Sequence, residues 1–176
     1  MSAAAARASR IDAAWAALDA VPDPEVPAVS VRDLGIVRAV LEHGDGIEVV
    51  LTPTYSGCPA TEVIAESVRQ ALVDAGLGPV TVTHRLAPPW TTDWISAAGR
   101  ARLQAYGIAP PCAAATETAA AAARPAGTIR IRPLRVVCPR CGSEQTERLS
   151  AFGSTACKAL HRCLACREPF EYFKPI

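Results

Sequence analysis

A chain of 176 residues, 50 % hydrophobic and 20 % charged, has room for one compact domain of roughly a hundred residues and a small second module. Its formal charge of +1 is an uneven sum, because residues 1–128 carry nine Lys/Arg against thirteen Asp/Glu and residues 129–176 carry nine against four. No stretch reaches the roughly 18 to 20 apolar residues of a membrane span, and the Ala-rich start is broken by Arg7, Arg10 and Asp12, so neither a membrane anchor nor a signal peptide is expected.

Taken in order, Ile11 to Ala20 places Ile11, Ala14, Trp15 and Leu18 at helical spacing and then meets VPDPEVP, whose prolines end the helix. Val29 to Gly35 fits either a helical turn or an extended approach. Gly35 to Leu41 and Ile47 to Thr52 flank the Gly/Asp-rich connection 42–46, the pattern of a β-hairpin. A helix is expected from about Pro59 to Ala75, with Ile64, Val68, Ala71, Leu72 and Ala75 on its apolar face and a stop at Gly76 to Pro79. Val80 to Leu86 alternates as a third strand, which the helical crossover allows to lie parallel to the second. In residues 87–111, Thr91 or Thr92 can cap a last helix ending at Gly107, with Trp94, Ala98, Ala101 and Ala105 on one face and Trp90 and Trp94 closing the core. The fold class is therefore α/β (α+β): a small mixed three-stranded sheet with helices over residues 1–108, then an Ala/Pro-rich linker at 109–128 and a zinc-ribbon module at 129–176. Cys112, in the linker, is given no role.

Seven cysteines, an odd number, include two Cys-x-x-Cys pairs, which read as metal knuckles in a reducing compartment, with the cytoplasm the expected location. Cys138 and Cys141 in one turn, and Cys163 and Cys166 in another, supply the four sulfurs of a tetrahedral zinc site. A rubredoxin-like iron site or an oxidisable pair uses the same residues. A module this small gains most of its folding energy from the metal. Cys157 does not fit the paired spacing and is a candidate auxiliary thiol, and His161 is expected at the surface. Nucleic acid is not favoured as a partner, since the rings Phe152, Phe170, Tyr172 and Phe173 are few and the arginines form no helical stripe.

Cys58 is the remaining candidate. It stands in a Gly-Cys-Pro turn where strand runs into helix, and a thiol at a helix N-terminus is expected to have a lowered pKa and to be partly thiolate, able to attack or to bind metal. A cysteine packed in a small-residue turn is the alternative.

DPEVPAVSVRDLGIV (23–37), TPTYSGCPATEVI (52–64) and APPWTTDWIS (87–96) resemble the small α/β domain of iron–sulfur cluster assembly proteins, including the SufT-type factors. With CPRCGS (138–143) and FGSTACKALHRCLACREPFEYFKPI (152–176) added, the chain resembles the PaaD (PaaJ) family, small subunits of the multicomponent phenylacetyl-CoA epoxidase of aerobic phenylacetate degradation. In that family the oxygen chemistry belongs to a di-iron carboxylate subunit and the electrons come from a reductase with flavin and an iron–sulfur cluster. This sequence has neither the Glu-x-x-His pairs of a di-iron bundle nor a dinucleotide fingerprint. The resemblance thus implies a non-catalytic accessory component whose partners are the other epoxidase subunits, the iron–sulfur reductase above all. It also implies that Cys58 contacts iron or persulfide during assembly of a partner's centre, with a transient iron–sulfur cluster as cargo. One thiolate cannot hold a cluster that takes four ligands. A homodimer, a partner's ligands or Cys157 would complete the set. A purely structural subunit bridging epoxidase components is the alternative.

Overall fold

The computed structural model describes residues 3–112 and 135–175, which divide into two compact units, the first ending at Tyr106 and the second spanning Gly107–Pro175. The first runs α1 (Ala3–Asp19), β1 (Val37–His43), β2 (Gly46–Leu51), α2 (Thr61–Asp74), β3 (Val80–His84), a single helical turn at Thr92–Trp94 and α3 (Ala97–Tyr106). β1 and β2 pair antiparallel, and β3 joins β2 in parallel with Ile47 opposite Val80 and Leu51 opposite His84. The hairpin and the parallel third strand expected from sequence are both present.

β2 is central, and its Ile47, Val49, Val50 and Leu51 are all buried. α2 turns Ile64, Ala65, Val68 and Leu72 inward. Full burial of such a side chain is worth about 2 kcal/mol, so the strand and the helix face together supply much of the drive to fold. α1 packs against α2 and β1, with Ala14 and Leu18 fully buried.

The stretch left ambiguous at Val29 to Gly35 is a sequence of turns on which the segment 90–102 is assembled. The Trp90 indole N–H donates to Leu34 O (2.9 Å), and the Ser96 backbone N–H and hydroxyl donate to Asp33 O (2.8 Å) and Asp33 Oδ1 (2.9 Å). Arg102 forms an ion pair with Asp33 Oδ2. Gly35 is required where this segment crosses, since its φ is +68° and a Cβ there would lie 2.5 Å from Trp94 O. Trp90 is in the core as expected, whereas Trp94 is half-buried beneath the Arg38 guanidinium, 3.4 Å from the ring centre. The apolar face expected for α3 is corrected: Ala98, Ala101 and Ala105 are exposed, and Gly99 and Leu103 are the buried positions. Small alanines carry too little apolar surface to choose the face, which Leu103 and the close approach of Gly99 to Asp33 choose instead.

The second unit is a four-stranded sheet in the order β4 (Ile108–Ala109), β7 (Pro169–Phe173), β6 (Lys158–Cys163), β5 (Thr146–Ser150). Residues 109–112, expected in the linker, lie in this unit, because Ile108 and Ala109 pair in parallel with Glu171 and Tyr172. The remainder of the expected linker and residues 129–134 of the expected ribbon lie outside the described residues. No helix among the described residues is long and apolar enough to cross a membrane.

Candidate metal centre and thiol turn

The second unit's core is built around its cysteines. Cys138 and Cys163 are fully buried beside Ala109, Val136, Ala159, Phe170 and Tyr172, with Cys112 and Cys166 packed against the cluster. Each Cys-x-x-Cys pair sits in a tight turn: Gly142 N–H donates to Cys138 O (3.0 Å) and Cys138 N–H to Ser143 O (2.9 Å), while Cys163 N–H donates to Glu168 O (3.0 Å). Both turns are followed by a left-handed residue, Gly142 (φ +74°) in the first and Arg167 (φ +68°) in the second.

The four sulfurs of Cys138, Cys141, Cys163 and Cys166 lie within 4.8 Å of one another, with Cys138 to Cys166 at 3.8 Å and Cys141 to Cys163 at 3.6 Å. Four thiolates bonded at about 2.3 Å to a tetrahedral ion stand roughly 3.8 Å apart, so the residues fit a metal. The acid–base balance agrees. The Cys166 backbone N–H and then that of Ala165 and the neighbouring thiols hold Cys163 down to about 6. The Ser143 N–H favours the Cys141 thiolate, but adjacent sulfurs and desolvation outweigh it and push Cys141 up to about 12. One thiolate forms easily and the next resists, an opposition that a bound cation removes. The unit is therefore a ribbon whose four gathered cysteines fit a metal ion.

Cys58 occupies a different kind of place. Its N–H donates to Tyr55 O (3.2 Å), and its carbonyl accepts from Thr61 N–H (3.3 Å) and Thr61 Oγ1 (2.8 Å). The thiol is half-buried. Its expected lowered pKa is corrected to a raised one: burial pushes it up, the Ala60 N–H and Thr61 pull it down, and the charges of Glu25 and Asp23 push it up again. The helix begins at Thr61 with Ala60 as its N-cap, so Cys58 lies short of the N-terminus and does not receive the full effect of the helix dipole.

Sequence reasoning had not placed those acids beside Cys58. Asp23 is buried in the Pro-rich turn, where its Oδ1 accepts from the N–H groups of Glu25 (2.9 Å) and Val26 (2.8 Å). The signal available was the Asp-Pro-Glu spacing itself.

Cys157 is buried, and its sulfur shares a hydrogen bond with Thr155 Oγ1 (3.0 Å). His161, expected at the surface, is 8 % exposed with its ring 5.4 Å from that of Tyr172. The strand period places it on the face carrying Ala159 and Cys163, which the core covers. Cys112 donates to Arg135 O (3.0 Å), and burial followed by the proximity of Cys112 raises the Tyr172 hydroxyl pKa. Nothing in the linker's composition signalled that packing.

Residues 122–174 match the family model described as PaaD zinc beta ribbon domain, and residues 11–83 match that described as iron-sulfur cluster assembly protein. An Escherichia coli (strain K12) protein, provisionally named as one of the subunits of 1,2-phenylacetyl-CoA epoxidase, is 48 % identical over 162 residues, 92 % of this chain and 91 % of that protein. The Bacillus subtilis (strain 168) Fe-S protein maturation auxiliary factor YitW is 38 % identical over 82 residues, 46 % of this chain and 79 % of that protein. The crystal structure of a domain of unknown function, DUF59, from Bacillus anthracis superposes with a TM-score of 0.52 at 27 % identity, over 57 % of this chain and 96 % of that one. An assembly-type α/β unit followed by a four-cysteine ribbon, shared along nearly the whole length of the E. coli relative, places the chain in the PaaD family of 1,2-phenylacetyl-CoA epoxidase subunits.

Proposed function

We propose that the chain is an accessory, non-catalytic component of a phenylacetyl-CoA epoxidase, acting in the cytoplasm, and that it assists assembly of an iron–sulfur or other metal centre in a partner subunit through Cys58. The observation that carries this reading is a half-exposed thiol in a fixed turn, flanked by Glu25 and Asp23. A thiol beside carboxylates is poorly suited to attack as a free nucleophile, because the same charges that raise its pKa favour the approach of a cation. The four ribbon cysteines hold zinc in a structural role on this reading, since an all-sulfur tetrahedral set suits an ion that needs no open position.

One sulfur cannot retain a cluster. The partner, foremost the iron–sulfur reductase, or a second copy of this chain would supply the other ligands. Cys157, buried beside Thr155, is the auxiliary thiol on this reading.

Metal and sulfide analysis of anaerobically purified wild type, Cys58→Ser and Cys163→Ser tests the scheme. Zinc is expected to be lost from Cys163→Ser alone. Cys58→Ser is expected to leave the co-expressed reductase short of iron and sulfide. A reductase fully loaded beside Cys58→Ser overturns the delivery role. The raised pKa of Cys58 favours one second reading, a subunit that only bridges epoxidase components; it requires full loading together with stable co-purification.

A further inference from the structure

The loop joining β5 to β6 is fixed at both ends and underneath, yet it holds an aromatic ring out into solvent. Phe152 is 63 % exposed. Its N–H donates to Ser150 Oγ (3.2 Å), the Gly153 N–H to Lys158 O (2.8 Å) and the Ser154 N–H to Glu171 Oε1 (2.6 Å). Below the loop, Lys158 is 2 % exposed and pairs with Glu171 at 2.8 Å. A Cβ on Gly153 would stand 2.6 Å from Glu171 Oε1, so a larger residue there would displace that carboxylate. From the C-terminal side, Lys174 Nζ donates to Ala151 O (3.2 Å) and lies 4.5 Å over the Phe152 ring.

The buried ion pair adds little net stability and an ammonium over an exposed ring adds about 0.5–1 kcal/mol, so folding gains little from this arrangement. It does suit binding. Ordering an aromatic anchor in advance removes an entropy cost that association otherwise carries, and such rings dominate interface energies. Leu149, 49 % exposed, lies in the β5 irregularity between Arg148 and Ser150, where the edge strand can re-aim a side chain. The charges specify the occupant further. Glu144, Glu147 and Glu171 are engaged by Arg135, Arg162 and Lys158, while Arg148 on β5 and Lys174 over the ring make no ion pair among the described residues.

We propose that the Phe152 loop, with Leu149 on the edge strand that leads into it and Lys174 above the ring, is the ribbon's docking element for an apolar pocket with an acidic rim on a companion epoxidase component. The inference rests on the accessory-component reading above.

Calorimetric titration of the full-length, metal-loaded chain against the separately purified epoxidase components tests both. Phe152→Asp is expected to weaken binding at least thirtyfold, with zinc content and unfolding temperature unchanged. Lys174→Glu is expected to weaken binding and flatten its dependence on salt. Wild-type affinity in Phe152→Asp overturns the docking inference and leaves the accessory-component reading intact. No binding of wild type to any component overturns that reading and this inference with it. A wild-type dimer that Phe152→Asp dissociates assigns the loop to a second copy and also overturns the inference.

Discussion

Asp33 shows how one side chain organises the first unit. Burial works against its charge, but the Ser30 N–H, Ser96 hydroxyl and Arg102 guanidinium outweigh burial and hold its pKa below the ordinary value of 3.8. The folded value is depressed, so the carboxylate's contribution to stability is complete above the ordinary aspartate pKa and is lost as pH falls through the lower folded value. Asp33→Asn is therefore expected to cost about 2 kcal/mol at neutral pH, with the difference from wild type shrinking as urea unfolding is repeated at lower pH. Cys58 gives a prediction of opposite sign. With burial, Glu25 and Asp23 raising its pKa, its alkylation by iodoacetamide should reach half its maximal rate at higher pH than for an unperturbed thiol, and Glu25→Gln should move that midpoint down. The Gly-Cys-Pro turn was legible in the sequence. The sign of the shift was not, because it depends on residues more than thirty positions earlier and on where the helix begins.

At the scale of elements, strands were the most legible part. Two apolar runs flanking a Gly/Asp-rich connection imposed the hairpin, and a crossover long enough for a helix left β3 free to run parallel to β2. What the pattern did not disclose was how closely the chain approaches itself where β2 begins. Ile47 N–H donates to Pro79 O (2.9 Å), and a Cβ on Gly46 would lie 2.2 Å from that same oxygen. Gly46→Val is expected to destabilise the first unit by on the order of 3 kcal/mol through overpacking, read as a lowered unfolding temperature. The face of α3 departs from the expected one for a related reason. Its alanines repeat at helical spacing, but the helix is seated by Leu103 and by Gly99, whose Cβ would stand 2.9 Å from Asp33 O.

At the scale of the whole molecule, the two units differ in what holds them together. The first buries apolar helix, strand and turn residues from Ala14 to Leu103 as its core. In the second, two of the seven buried cluster residues, Cys138 and Cys163, are themselves candidate ligands, so removing the metal leaves two unligated sulfurs inside the core. Cysteine spacing alone foretold which four sulfurs come together, whereas the recruitment of Ile108, Ala109 and Cys112 into the ribbon had no local signal, because a two-residue strand has no period to detect. Chelation with a zinc-selective reagent is accordingly expected to unfold the ribbon alone. Proteolysis should then cut within residues 135–175 while a fragment ending near Tyr106 survives, and circular dichroism should retain the helical signal of α1 to α3. Restoring zinc should restore resistance, because binding free energy and folding free energy are one quantity in such a module. A ribbon that stays resistant without metal would mean that Phe170, Tyr172 and their neighbours suffice as a core, and the cysteines would then have to be retained for chemistry rather than for folding.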